Sequence, residues 1–257
     1  MIRNSFIFLK NVGYSKERML WNSGILNWND FLDAKSIKGI SKINKEKNNK
    51  KIIDAEIALK NKNLDFFKKY FPKKENWRFY RELSDSAIFL DIETDNFSRP
   101  TVVSITDGYD YKTLIRGFNL DFNEIQKIIS NHKLIVTFNG LSFDLRILSR
   151  YVKIKNSILL DLRPVFVRLG YNKGLKEIEK EFGIKRSSEV EFLRGEDAIF
   201  LWDNYLKTRN KEYLKLLVEY NYYDSFNLKP LAEIAYKKMK ELCFEREIRN
   251  KESELFR

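Results

Sequence analysis

The sequence predicts an α/β protein: a mixed five-stranded sheet flanked by helices, preceded by a small all-helical domain. Three observations predict it. Up to residue 84 the apolar residues recur at helical spacing and no convincing strand is found. Three strand-like segments follow, joined by short turns. Helical and strand patterns then alternate, and from Asp161 onward only helical patterns remain. The chain therefore divides into domains at 1–84 and 85–257.

In the first domain, Ser15–Trp21, Trp28–Leu32, Lys45–Lys60 and Leu64–Phe71 carry the helical pattern, with Ser15 and Asn63 as N-caps. Lys42–Lys51 is a basic run between helices, read as a solvated face. In the second domain, Ala87–Ile92, Thr101–Thr106 and Tyr111–Ile115 are rich in β-branched and aromatic residues. Asp107-Gly108 is a turn signal, so these strands read as an antiparallel meander. Helix Asn123–Ser130, strand Leu134–Phe138, helix Phe143–Tyr151 and strand Ser157–Leu160 come next. The remaining helices are Asp161–Leu169, Leu175–Phe182, Glu196–Leu206 and Lys211–Glu241.

Composition narrows the function. At 257 residues and 43% hydrophobic, the chain can bury a substantial core. The single cysteine, Cys243, rules out an intramolecular disulfide and a cysteine-based zinc site. The start of the chain has no signal-peptide pattern, and stretches such as Leu134–Phe138 are too short to span a bilayer. A cytoplasmic protein with no membrane partner is expected. Charge is unevenly spread: residues 1–80 hold 18 Lys and Arg against 8 Asp and Glu, and the remainder is nearly balanced. A polyanion such as nucleic acid fits that asymmetry, although an AT-rich genome would also inflate lysine.

Three acidic segments carry the chemistry. Asp91-Ile92-Glu93 closes the first strand, and residues two apart on a strand share a face. Two adjacent carboxylates repel unless a cation lies between them. Asn139-Gly140-Leu141-Ser142-Phe143-Asp144 follows a buried strand and opens a helix. Read alone, it is a helix cap by Asn139 or Ser142, with Asp144 favouring the dipole. Tyr220 and Asp224 lie four apart, on one face of a late helix. Each segment alone has a structural reading; together they are far more specific.

The combination resembles the DEDD exonuclease superfamily, whose motifs are Asp-x-Glu, Asn-x3-Phe-Asp and Tyr-x3-Asp. They stand here as Asp91/Glu93, Asn139/Phe143/Asp144 and Tyr220/Asp224. The tyrosine (DEDDy) form is present, because position 219, where the histidine form needs His, is Glu219. The one histidine, His132, reads as a turn residue. Further segments resemble the YprB-like branch: Asp161-Leu162-Arg163, Gly174-Leu175-Lys176 with Ile178-Glu179 and Gly183-Ile184, Leu201-Trp202, Glu219-Tyr220-Asn221, and the N-terminal Leu20-Trp21 and Gly24-Ile25.

The resemblance implies a ribonuclease H-like sheet, with the fourth and fifth strands parallel to the first. It implies a 3′→5′ exonuclease that uses two divalent ions, Mg²⁺ or Mn²⁺, to release nucleoside 5′-monophosphates. Asp91 would bridge both ions, Glu93 and Asp224 would bind the one carrying the attacking water, and Asp144 the other. Tyr220 would place that water. Thr94 would meet the terminal nucleotide through its backbone amide, and Asn139 and Phe143 would border that nucleotide or support the Asp144 loop. Asp161 reads as a helix cap rather than a fifth ligand. The partner expected is nucleic acid with a free 3′ end, DNA before RNA, with DNA repair as one setting. An exoribonuclease with the same site, or an inactive nucleic-acid-binding module, stays open. Val12-Gly13-Tyr14, followed by a helix and then Gly24-Ile25, resembles a helix-hairpin-helix, and Ile37-Lys38-Gly39-Ile40 would open a second; such hairpins hold the DNA backbone through amides, and a small helical packing domain is the alternative reading.

Overall fold

Alternation along the first strand decides how the sheet is covered. Strand β1 (Ala87–Thr94) sends Ile88, Leu90 and Ile92 into one core cluster. The alternate residues, Asp91 and Glu93 included, point to the opposite face. In the computed structural model, which describes residues 1–245, β1 pairs antiparallel with β2 (Pro100–Thr106), and β2 with β3 (Tyr111–Ile115). β4 (Leu134–Thr137) runs parallel to β1, and β5 (Ile158–Asp161) parallel to β4. The sheet order is β3-β2-β1-β4-β5. The expected mixed five-stranded α/β sheet, with β4 and β5 parallel to β1, is the one observed.

Chain contacts divide the protein into two units. One spans Leu83–Ala235 and holds the sheet. On one sheet face lie α6 (Phe122–Asn131) and α7 (Asp144–Leu148), through Ile125, Ile129, Leu145 and Leu148. On the other lie α10 (Gly195–Thr208) and α11 (Lys211–Phe226), whose Trp202, Tyr205, Leu217 and Tyr220 cluster with Val102. Between these sets come α8 (Leu162–Arg168) and α9 (Leu175–Glu181).

The other unit comprises Met1–Glu82 and the described residues from Tyr236. It holds α1 (Tyr14–Asn22), α2 (Trp28–Asp33), α3 (Lys42–Lys60), α4 (Leu64–Tyr70), a 3-10 segment Lys73–Phe79 and α5 (Tyr80–Leu83). Its core is aromatic, with Phe8 stacked on Phe71 at 5.2 Å and Phe67 edge-on to Phe79 at 5.1 Å. A buried ion cluster lies in it: Arg78 Nη2 is 2.9 Å from Glu17 and Arg78 Nε 2.7 Å from Glu75. From Leu228 the chain forms α12 (Leu228–Lys240).

Several boundaries differ from the sequence reading. The basic run Lys42–Lys51 is not a segment between helices: α3 starts at Lys42, capped by Ser41. Lysine and glutamate favour helix even without an apolar stripe. Ser15 does not cap α1; Gly13 does. Asn63 does cap α4, accepting from the Asp65 amide. Lys211–Glu241 is two helices, because Pro230 has no N–H for the Phe226 carbonyl and its ring crowds that turn. Ahead of Val12 the chain forms a 3-10 turn at Ile2–Asn4, with no α-helix before the first glycine turn. Between α2 and α3, Ile37 and Ile40 bridge around Gly39, which sits at φ 76°. Among the described residues, no helix is long and apolar enough to cross a membrane.

Candidate active site

Three elements converge near the C-terminal end of β1. Glu93 pairs with Val102 and Asp91 with Ser104, so both carboxylates project towards the face that α11 covers. Ile92 between them is 2% exposed in the opposite core. The register then slips between Glu93 and Thr94, and buried Thr94 pairs with Pro100.

Helix α11 adds Tyr220 and Asp224, one turn apart and both buried. It also adds Asn221, fully buried, whose Nδ2 donates to Asp91 Oδ2 at 2.6 Å. One helical turn thus delivers an acid, a phenol and the amide that fixes the orientation of Asp91.

The loop after β4 delivers Asp144. Asn139 adopts φ 64°, a conformation that asparagine tolerates. Gly140 approaches β4 so closely that a Cβ there would lie 2.3 Å from Thr137 Oγ1. Asp161 staples the loop, accepting from the amides of Asn139 at 2.7 Å and Leu141 at 3.2 Å while capping α8 through the Arg163 amide at 3.1 Å. The Arg163 guanidinium donates to Asn139 Oδ1 at 3.0 Å. Neither Asn139 nor Ser142 caps α7: the helix opens at Asp144 with no side-chain cap. Phe143 is left 41% exposed, while Asp144 is 3% exposed, its Oδ1 accepting from the Ile92 amide at 2.9 Å.

Oxygens of Asp91, Glu93 and Asp224 lie within 4.8 Å of one another; Asp144 stands beside this trio rather than in it. Burial, then the charges of Asp144, Asp224 and Glu93, hold the Asp91 carboxyl well above the usual carboxylate range. Burial and the charges of Asp224 and Asp144 do the same to Glu93, against relief from Lys176 and Arg186. Burial pushes Asp144 up to about 7 despite its hydrogen bond from Ile92. Asp224 is raised by burial and held down by Arg186, Lys176 and Tyr220. Burial, then Asp224, Glu93 and Asp91, raises the Tyr220 phenol far above its ordinary range.

A cation fits this arrangement. Three mutually repelling hard oxygen donors gain from a divalent ion such as Mg²⁺ or Mn²⁺. Asp224 Oδ1 is buried and pairs with Arg186 Nη2 at 2.5 Å, which offsets part of the repulsion. Arg186 was not singled out from sequence. Its side chain is 3% exposed and binds Glu179 at 2.5 and 2.7 Å. Lys176 lies 4.6 Å from the Tyr220 ring centroid and donates to the Val190 and Leu193 carbonyls. Lys176, Glu179 and Asn221 stood within motifs but carried no assigned role. An asparagine one residue after the motif tyrosine was the available signal for Asn221; nothing in the residue order linked Arg186 to Asp224.

Residues 88–236, more than half of the chain, match the family model of the RNase H superfamily. The chain belongs to the RNase H superfamily. No curated protein matches it. Membership supports a nuclease, a hydrolase acting on nucleic acid. The observed sheet is the RNase H-like one, and the acidic trio lies at its central strand. RNase H superfamily nucleases usually work with divalent ions, in keeping with this donor set.

Proposed function

We propose that this RNase H superfamily member is a 3′→5′ exonuclease of the YprB-like, DEDDy type, hydrolysing DNA from a free 3′ end to nucleoside 5′-monophosphates. The observation that carries the reading is the meeting of Asp91, Glu93 and Asp224 within 4.8 Å, with Tyr220 buried one helical turn from Asp224. Bound divalent ions would supply charge neutralisation at the scissile phosphate and an acidified water. Asp91, Glu93 and Asp224 would hold one ion, and Asp91 with Asp144 the other.

The chain's own groups divide the remaining work. Burial and three carboxylates disfavour the Tyr220 anion. Tyr220 would orient the attacking water by hydrogen bonding. Asn221 fixes the Asp91 carboxylate, and Arg186 with Glu179 fixes Asp224. Thr94, Asn139 and Phe143 border the terminal nucleotide, with exposed Phe143 offering a stacking face. The basic N-terminal residues hold the DNA backbone.

Digestion of matched DNA and RNA oligonucleotides with Mg²⁺ or Mn²⁺, followed by chromatography of the products, tests the reading. Nucleoside 5′-monophosphates released faster from DNA are expected. Faster release from RNA would make the protein an exoribonuclease, and 3′-monophosphates would reject the mechanism.

A further inference from the structure

Beyond the carboxylates, the sheet-bearing unit carries a groove of about 720 Å³ that the reaction as described does not use. Its floor is set by Pro100, the first residue of β2, and by Arg116 and Gly117, just past β3. Pro100 pairs with Thr94 and Ile115 with Val102, which itself pairs with Glu93. The groove therefore opens at the same end of the sheet as the acidic trio.

Its chemistry is that of a polyanion site. Arg99, Arg116 and Arg209 line it. One carboxylate, Asp95, orients two of them: Arg99 Nη2 lies 2.8 Å and Arg116 Nη2 2.9 Å from Asp95 Oδ2. Two guanidinium groups sharing one acid leave net positive charge and further N–H donors. Arg209 is exposed at the left-handed end of α10, φ 60°, with no ion pair among the described residues.

Aromatic faces alternate with these charges. Phe118 is 64% exposed, and Phe122 stacks on half-exposed Tyr151 at 4.1 Å and 8°. Trp202 forms a wall beneath Arg116, whose guanidinium lies 4.9 Å from its ring. Trp202 itself is 2% exposed, so it supports Arg116 from below.

We propose that this groove is a second nucleic-acid site, holding a single strand with its phosphates on Arg99, Arg116 and Arg209 and its bases on Phe118 and the outer face of Tyr151, which Phe122 backs. Basic groups interleaved with aromatic faces suit unpaired bases, whose faces a duplex conceals. That the bound strand is also the one being degraded rests on the nuclease reading; the binding does not.

The test uses the full-length protein with Phe118→Ala and Arg209→Glu, both at exposed positions away from the carboxylates. A 5′-fluorescein single-stranded oligonucleotide is titrated by anisotropy without divalent ions, across a salt series. Each variant is expected to bind about tenfold more weakly, and Arg209→Glu to flatten the salt dependence by about one phosphate contact. Turnover of the nitrophenyl ester of thymidine 5′-monophosphate, too small to reach the groove, is expected to be unchanged, while oligonucleotide turnover falls. Unchanged oligonucleotide affinity in both variants would overturn the groove while leaving the nuclease intact. Weakened binding in a protein that cleaves nothing would support the groove and count against the nuclease. A blunt duplex bound as tightly as the single strand would overturn the single-strand assignment.

Discussion

Within one turn of α11 lie Tyr220, Asn221 and Asp224, and each meets β1 chemistry in a different way. Asp224 adds charge, Asn221 steers Asp91, and Tyr220 adds a phenol whose anion burial and the carboxylates disfavour. Removing the hydroxyl alone with Tyr220→Phe should lower kcat by about a hundredfold and leave Mn²⁺ affinity unchanged, as measured by titration calorimetry. The carboxylates give a second test at this scale. Asp91, Glu93, Asp144 and Asp224 all have raised folded-state values, Asp144 to about 7. A carboxyl with a raised folded value holds its proton longer in the folded state. Metal-free stability therefore declines as pH rises from the ordinary carboxylate range through about 7. A divalent ion needs the deprotonated groups, so it should restore what is lost. The rise in melting temperature on adding Mn²⁺ should be larger at about pH 8 than at about pH 5 and absent in Asp91→Asn. An equal rise at both pH values, or one retained in the variant, would contradict the ligand assignment.

The β1–β2 hairpin depends on one acid. Burial alone would raise Asp95, but hydrogen bonds from the Arg99 amide and guanidinium, the Phe97 amide and Arg116 hold it down at about 2. Its stabilisation is present above the unfolded value near 4 and is lost as pH falls through about 2. Asp95→Asn should cost about 1.5–3 kcal/mol in urea unfolding near neutral pH, and the difference from wild type should vanish in strong acid. How well each element could be read from sequence follows its physics. Strands β1 to β5 were legible because β-branched runs between turn signals leave few other readings. The start of α3 was not, because its first turns lack an apolar stripe, nor was the break before α12, where Pro230 acts on a carbonyl four residues earlier. The candidate site was legible where side chains are spaced along one element, as at Asp91/Glu93 and Tyr220/Asp224. It was hidden where contacts cross elements: Arg186 reaches Asp224 from 38 positions away, and Asp161 ties down a loop about 20 residues before it.

Across the whole molecule, each unit has its own buried electrostatics. In the sheet-bearing unit, repelling acids gather where a cation is wanted. In the helical unit, buried acids share one base: Arg78 lies between Glu17 and Glu75, with Ser5 Oγ and the Phe6 amide also donating to Glu17. Arg78→Met would remove the guanidinium that faces both buried carboxylates, and should cost about 3–5 kcal/mol by chemical denaturation. For the exonuclease site in the other unit, one measurement is the most direct test. A 5′-labelled single strand incubated with Mn²⁺ and wild-type protein should give a ladder shortening one nucleotide at a time from the 3′ end, with Asp91→Ala and Asp224→Ala leaving the strand intact. Internal cuts, or an undiminished ladder in either variant, would contradict it.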